Sequence, residues 1–162
     1  MEKRKDLSFS VSATTRPPRP TEQEGVHYYF ISEDKFEEMI ANDEFVEYDR
    51  HNAAIYGTPL GQLEDKLGRG HVILDIEPKG AEIVHGKRPD AILIFIMPPS
   101  VEELRRRLVG RATDTMEVIE KRVAKASFEI EKAPQFDHTV INDDLEKAVE
   151  DTRTILNNFL AR

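Results

Sequence analysis

The sequence of 162 residues contains no cysteine. That absence excludes a disulfide framework, a thiol nucleophile and a thiolate metal site. No apolar run approaches the ~20 residues that a membrane-spanning helix needs. The opening stretch, MEKRKDLSFS, carries charges but neither an apolar core nor a small-residue cleavage site, so it does not predict a signal peptide. Together these absences predict a cytoplasmic protein with no membrane partner.

Positive charge is also scarce, with 23 lysines and arginines against 31 aspartates and glutamates, a formal net charge of −8. Nucleic-acid binders normally carry a basic surface, so we expect no nucleic-acid partner. The first twenty residues invert the balance, with a basic cluster from Lys3 to Lys5 and two further arginines, Arg16 and Arg19. A solvated terminus accounts for the cluster. A basic edge containing the two arginines suits one small anionic ligand.

Two nearly continuous apolar runs, HVILDI at 71–76 and AILIFIM at 91–97, predict parallel strands covered on both faces. Helices are predicted between and after them, and the alternation indicates one α/β domain over 1–162 with a mostly parallel sheet flanked by helices. Residues 12–59 break this rhythm with extra strands, which predicts an inserted, β-rich lobe.

Helix-start signals mark most of the predicted helices. Ser32 caps one helix, Ser100 opens a capping box, and a long helix runs from about Thr115 to Lys132. Pro59 is predicted at the first position of its helix. The last helix is predicted to be capped by Asn142 or Asp143.

The most specific string is SVSATTRPPRP, at 10–20. Two arginines three residues apart follow a strand and are held by prolines. The planar guanidinium group pairs with phosphate oxygens in a bidentate manner. A surface loop with incidental charge is the alternative, but prolines that stiffen a loop also restrain its arginines. We therefore favour an anion site.

This string is followed in order by GVHYYF, EFVEY, IYGTP, ILDIE, FIMPPS and INDDL, and the series resembles the guanylate kinase family from about Ser8 to the end of the chain. The resemblance implies a P-loop-kinase-type sheet with a small GMP-binding lobe at about 12–59 and a helical lid at about 105–122. It implies transfer of the γ-phosphoryl group of ATP to GMP, with Mg²⁺ accompanying ATP.

The resemblance also implies the residues of the acceptor site. Those that would hold the GMP phosphate are Ser12, Arg16, Arg19, Tyr28 and Tyr56. Those that would read the guanine are Glu47, Thr58 and Glu77. Guanine presents N1–H and N2–H₂ as parallel donors to a carboxylate, whereas adenine has no such pair on that edge. For Glu47 the alternative is an ordinary solvent-facing strand residue.

Transition-state charge would be stabilised, by the same resemblance, by Arg16 together with Arg107, Arg111 and Arg122. A basic helix face with pairing of Glu103 to Arg107 is the alternative.

Two further residues follow from the family motifs. Asp75 ends the strand HVILDI, where it would work near the magnesium or the substrate phosphate, and no side chain is predicted as a direct metal ligand. Asn142 would lie beside the adenine, unless it only caps the last helix.

The sequence departs from the family pattern in one major respect. It contains no G-x-x-x-x-G-K-[ST] string, and the near miss from Gly80 to Arg88 has the wrong spacing and lies in a predicted helix. We read the first five residues as the tail of a helix, with roughly thirty residues of a βαβ opening before them. Smaller departures are Glu77 in place of aspartate, Ala112 in place of glycine, and the segment HNAAI at 51–55.

These departures predict impaired ATP binding and leave three functions open. The first is a guanylate kinase that lacks its phosphate loop. The second is a non-catalytic module that binds GMP or a phosphorylated peptide, and the third is a kinase for a phosphorylated sugar. An unpaired strand edge can pair with a second copy of the chain, so a homo-oligomer is a further alternative.

The guanine-reading set predicts that the protein binds GMP more tightly than AMP. Calorimetric titration with the two nucleotides measures this preference directly. A bidentate hydrogen-bonded pair discriminates by ~1–3 kcal/mol. Equal affinity for the two nucleotides would contradict the assignment of Glu47 and Glu77 to guanine.

Overall fold

The structure, a computed structural model, describes residues 6–51, 54–111 and 115–161. The strands are β1 Leu7–Phe9, β2 Ala13–Thr14, β3 Tyr29–Phe30, β4 Phe45–His51, β5 Ala54–Pro59, β6 His71–Ile73, β7 Ile94–Met97 and β8 His138–Ile141. The helices are α1 Glu33–Ala41, α2 Leu60–Leu67, α3 Pro78–Lys87, α4 Val101–Gly110, α5 Met116–Ile130 and α6 Leu145–Leu160, with a 3₁₀ turn at Ala133–Gln135. The predicted α/β fold is confirmed. The chain divides into two compact units between Arg88 and Pro89.

Outside the four-stranded sheet of the first unit, each unit contains one parallel strand pair among the described residues. In the first unit β1 pairs with β6, and in the second β7 pairs with β8, as the apolar runs predict. The prediction that both faces of the strand are covered is wrong for β7, because Ile96 is 57% exposed. In the described part of the chain each of these strands has one neighbour, so its other edge is open. Apolar side chains at such an edge remain partly accessible.

The predicted inserted lobe is a four-stranded sheet in the order β3-β2-β5-β4. Helix α1 covers one face of it and begins where Ser32 accepts a hydrogen bond from the Lys35 amide. Its Phe36 is fully buried and stacks on Phe45 with ring centroids 4.3 Å apart. Ala13 and Ile55 complete this aromatic core.

A β-bulge at Val46 gives strand β4 its functional orientation. Phe45 pairs with Pro59 while Glu47 pairs with Thr58, so two steps along β4 match one step along β5. In a regular strand Phe45 and Glu47, two positions apart, would share a face, since side chains alternate along a strand. With it, Phe45 faces the aromatic core and Glu47 faces the opposite side.

The extra residue is itself buried. Val46 packs with Leu63 of α2 and Val84 of α3 in a second core. The bulge therefore lets two consecutive apolar residues fill two different cores and keeps Glu47 on the face opposite the aromatic core.

Two helix starts differ from the sequence prediction. Pro59 is the N-cap of α2 and not its first helical residue, because it still pairs with Phe45 in the sheet. Helix α6 is capped by Asp144, whose side chain accepts from the Lys147 amide at 2.8 Å, and not by Asn142 or Asp143. The Asn142 amide instead donates to Met97 O at 2.7 Å and continues the strand ladder.

The other capping predictions are confirmed. Ser100 Oγ accepts from the Glu103 amide at the start of α4. Thr115, the approximate start predicted for the long helix, is the N-cap of α5, which begins at Met116. Ala112 and two residues of the HNAAI segment lie outside the described residues. Within the described ranges, no helix is long and apolar enough to cross a membrane.

The crossing of α1 over the lobe sheet requires glycine at position 57. A Cβ there would lie 2.9 Å from Phe45 Cδ1 and 3.0 Å from both Phe36 Cζ and the Glu47 carbonyl oxygen. We expect Gly57→Ala to lower the free energy of unfolding by about 1–3 kcal/mol, as overpacking does. Urea denaturation measures the change.

The matched control is Gly61→Ala in α2, where a Cβ would meet nothing within 4 Å. Stability should be unchanged or higher by up to about 1 kcal/mol, because alanine is the better helix former. Equal destabilisation by the two substitutions would refute the packing argument.

Candidate functional site

The face of the lobe sheet opposite the aromatic core is polar. The register places Thr14 and Asp49 on either side of Tyr56, and Glu47 opposite Thr58. Directly paired residues point to the same side of a sheet. The face thus gathers hydroxyl and carboxylate groups from three strands.

Arg16 is held firmly beside this face. Its two terminal nitrogens donate to the two carboxylate oxygens of Glu22, each at 2.7 Å. The guanidinium carbon lies 4.9 Å from the centre of the Tyr28 ring and 5.7 Å from that of Phe30. The Arg16 and Glu22 side chains are only 16% and 11% exposed. A bidentate pair with aromatic stacking fixes both the position and the charge of this arginine.

Glu22 is a site residue that the sequence analysis missed. It accepts hydrogen bonds from the Arg16 side chain and from the Arg19 amide, the latter at 2.7 Å. The hydrogen bond from Arg16, followed by that from Arg19, lowers the pKa of Glu22 to about 2. The same partnership raises the pKa of Arg16. The only signal in the sequence is an acid three residues beyond Arg19.

The other predicted phosphate-binding residues lie around Arg16. The Tyr28 and Tyr56 rings meet edge to face with centroids 6.0 Å apart. A hydrogen bond between Tyr56 and Arg16 contributes to the raised pKa of the arginine. Arg19 is exposed, and Ser12 is half-buried just before β2. The structure therefore brings Arg16, Tyr28 and Tyr56 together and leaves the Arg19 side chain facing solvent.

Glu47 is a buried carboxylate and not a solvent-facing strand residue. It is 7% exposed, and its Oε1 accepts from Thr58 Oγ1 at 2.6 Å. Thr58 is fully buried. Burial raises the pKa of Glu47, against the opposing effects of the Thr58 hydrogen bond and the Lys87 charge. A buried acid with a hydrogen-bond partner is typical of a recognition or catalytic group.

Helix α3 lies along β4, and two predicted site residues, Asp75 and Glu77, precede its first residue. Lys87 Nζ donates to Val46 O at 2.6 Å near the end of the helix, and Lys79 Nζ lies 3.5 Å from Asp49 Oδ1 in its first turn. Glu77 is the exposed N-cap of α3. Asp75 is also exposed and follows β6, the parallel strand that ends at Ile73. Both acids lie at the carboxyl end of a parallel strand, where open α/β sheets bind ligands.

The second unit holds the remaining predicted residues. Arg107 Nε donates to Glu103 Oε1 at 2.6 Å, which is the helical pair expected as the alternative. One terminal nitrogen also donates to Asn142 O at 2.7 Å, so Arg107 fastens the turn between β8 and α6. Arg111 is exposed at the end of α4, and Arg122 is exposed on α5.

The described side chains suit magnesium only in combination with water and substrate phosphates. No group of three His, Asp or Glu residues in the described ranges could hold a metal ion by itself. Mg²⁺ usually binds through one or two carboxylates, water and substrate phosphates, so it does not require such a cage. Asp75 is the predicted carboxylate at this edge of the sheet.

The first unit thus defines a class of site. One end of the polar face carries arginines and tyrosine hydroxyls suited to an anion, and the other carries a buried carboxylate suited to a pair of N–H donors. An α/β protein with this arrangement is suited to a small anionic ligand with a hydrogen-bonding ring.

Comparisons with known proteins identify the family. The guanylate kinase family model matches residues 1–159. The chain is 47% identical over 160 residues to a guanylate kinase of Bacteroides fragilis, covering 96% of this chain and 78% of the relative. It is 48% identical over 151 residues to one of Thermus thermophilus, covering 93% and 69% respectively. The chain belongs to the guanylate kinase family.

Solved structures agree. The crystal structure of guanylate kinase from Anaplasma phagocytophilum superposes with a TM-score of 0.80 at 32% identity. The match covers 98% of this chain and 78% of that one.

The buried Glu47 carboxylate predicts a pH-dependent stability difference. Because the folded pKa is raised, the contribution of Glu47 to stability is fully present below its unfolded pKa, near 4.5, and is lost as pH rises through the folded pKa. We expect Glu47→Gln, which keeps the shape, to melt at a higher temperature than the parent protein at pH 8 and to lose this advantage near pH 4.

Thermal unfolding across that pH range measures the difference. Glu37→Gln on α1 is the matched control, because the Glu37 side chain is 42% exposed and pairs with Arg50. A constant difference between Glu47→Gln and the parent from pH 4 to pH 8 would contradict the burial argument.

Proposed function

We propose that this chain binds GMP across the polar face of the lobe, with guanine at Glu47 and phosphate at the arginine loop. Membership of the guanylate kinase family supports a GMP kinase function. The observation that carries the site proposal is the buried pair of Glu47 and Thr58, with 2.6 Å between their oxygens, on the same sheet face as Tyr56.

At the guanine end, Glu47 provides acceptors in a place from which water is largely excluded. Thr58 occupies one acceptor position of Oε1, and a carboxylate has about four such positions in all. The remaining ones can accept guanine N1–H and N2–H₂ together. Adenine would leave the buried carboxylate unpaired, and an unpaired buried acceptor costs about 1–3 kcal/mol or more when charged. Glu77, at the start of α3, is proposed as the second guanine acceptor.

At the phosphate end, the two arginines have different tasks. Arg16 is fixed by Glu22 and the tyrosine ring, so it presents a constant positive charge with little loss of side-chain freedom on binding. Arg19 is exposed and has a guanidinium group available to meet the phosphate. Hydroxyl groups of Ser12, Tyr28 and Tyr56 are proposed as further donors to the phosphate oxygens.

Phosphoryl transfer from ATP requires groups beyond this face. We assign Arg107, Arg111 and Arg122 to stabilising the charge on the transferred group, and Asn142 to the adenine of ATP. Asp75 is proposed to hold Mg²⁺ through water, and the ion would neutralise phosphate charge when bound. Arg107 would have to exchange its hydrogen bonds to Glu103 and Asn142 for the phosphate.

A second function is favoured by one observation. The 162 residues contain no G-x-x-x-x-G-K-[ST] string, which in this class cradles the donor phosphates. We propose that the chain by itself binds GMP and transfers phosphate slowly, so a binding role remains the alternative to catalysis. A coupled assay on protein of verified mass separates them. Turnover in the ordinary kinase range of ~1–100 s⁻¹ would overturn the proposal of impaired ATP use.

The phosphate assignment predicts that Arg19→Ala weakens GMP binding much more than guanosine binding. A hydrogen bond to a charged group is worth about 1.5–3 kcal/mol, so GMP affinity should fall roughly 10- to 100-fold. Isothermal titration with both ligands measures the two effects.

Arg69→Ala is the matched control, because Arg69 is an exposed arginine in the turn after α2. It should leave both affinities unchanged. Equal loss of GMP and guanosine affinity in Arg19→Ala would show that Arg19 supports the loop and does not bind phosphate.

A further inference from the structure

Gly80 is the third residue of α3 and lies directly against the Glu47 carboxylate. A Cβ built at Gly80 would be 2.7 Å from Glu47 Oε2 and 3.2 Å from its Cδ. Gly80 does not use the backbone freedom of glycine, since the positive-φ glycines of the described chain are Gly25 and Gly70. Glycine in a helix costs about 1 kcal/mol relative to alanine. The reason for glycine here is therefore space.

The Glu47 side chain has little room in which to move aside. Its Oε1 is held by Thr58, which is fully buried between its strand neighbours. The residue as a whole is 7% exposed. A methyl group on the helix side would push the carboxylate towards the space in which its ligand must lie.

The helix is also unable to retreat easily. Lys79 and Lys87 hold α3 to Asp49 and to the Val46 carbonyl, near its two ends. Ala81 and Val84 of the same helix are buried in the first unit. Any added volume at position 80 is thus taken up by the glutamate and not by the helix.

We infer that Gly80 is a specificity-determining position, whose missing side chain sets where the Glu47 carboxylate stands and so selects a ring with two adjacent N–H donors. This inference rests on the proposed role of Glu47 in reading guanine. Gly80 itself contacts no substrate and acts through Glu47 as a positioning residue.

The test compares Gly80→Ala with Gly86→Ala, which makes the same change on the same helix where a Cβ would meet nothing within 4 Å. Affinities for GMP, IMP and AMP are measured by calorimetry, because IMP keeps N1–H and the phosphate but lacks the 2-amino group. We expect Gly80→Ala to lose about tenfold in GMP affinity, within what a bidentate pair discriminates, with much smaller changes for IMP and AMP. Gly86→Ala should match the parent for all three.

A double-mutant cycle separates repositioning of Glu47 from a general effect on the helix. In a Glu47→Ala background the clash partner is gone, so adding Gly80→Ala should change GMP affinity no further. An equal loss in both backgrounds would overturn the inference. If Gly80→Ala alone fails to fold by thermal unfolding, the double variant should regain a cooperative transition, and its failure to do so would also overturn it.

The same measurements distinguish the two proposals. A parent protein without preference for GMP over AMP, or one whose preference survives Glu47→Ala, contradicts the guanine-reading role itself. A preference that is lost in Glu47→Ala but retained in Gly80→Ala contradicts only the role of Gly80.

Discussion

The hydrogen bond between Thr58 and Glu47 is the constraint on which the lobe depends. Moving a carboxylate out of water is costly unless it is paired, and Glu47 forms no salt bridge with another described residue in compensation. Its 2.6 Å bond from Thr58 requires the strand register that the Val46 bulge creates. The bulge in turn requires two separate cores, one that receives Phe45 and one that receives Val46. The recognition chemistry is thus built into the packing of the lobe.

The carboxylates at the two ends of the polar face have pKa values shifted in opposite directions. Glu22 is stabilised in its charged form by Arg16 and by the Arg19 amide, and its pKa falls to about 2. Burial makes Glu47 reluctant to ionise, and its pKa rises. A permanently ionised acid suits a structural partner for an arginine, because it keeps Arg16 in place over a wide pH range. A desolvated acid suits recognition, because it gains most when two donors arrive.

The sequence predicted those helix caps that depend only on residues close together in the chain. Ser32 and Ser100 cap their helices as expected, since a side-chain oxygen and an amide three residues away suffice for that. The predicted cap of α6 was wrong because three consecutive polar residues can each cap a helix. Only the strand ladder decides that the Asn142 backbone amide is still bonded, to Met97 O. The bulge was missed because its cause is the match of β4 to a distant pair of cores. Glu22 was missed because pairing across a loop leaves no periodic pattern.

The residues that break local rules in the first unit lie on strand β4 or directly against it. Gly57 lies within a strand and Gly80 within a helix, and at both positions a residue of low intrinsic propensity allows close approach to β4. Glu47 itself is a charge placed where an apolar residue would pack with less cost. Departures from local consistency are expected at functional sites, where another requirement outweighs stability. In this lobe that requirement is a carboxylate that is held in one position, largely shielded from water and open on one side. The bulge at Val46, the buried Thr58 hydroxyl and the missing side chain at Gly80 together provide it.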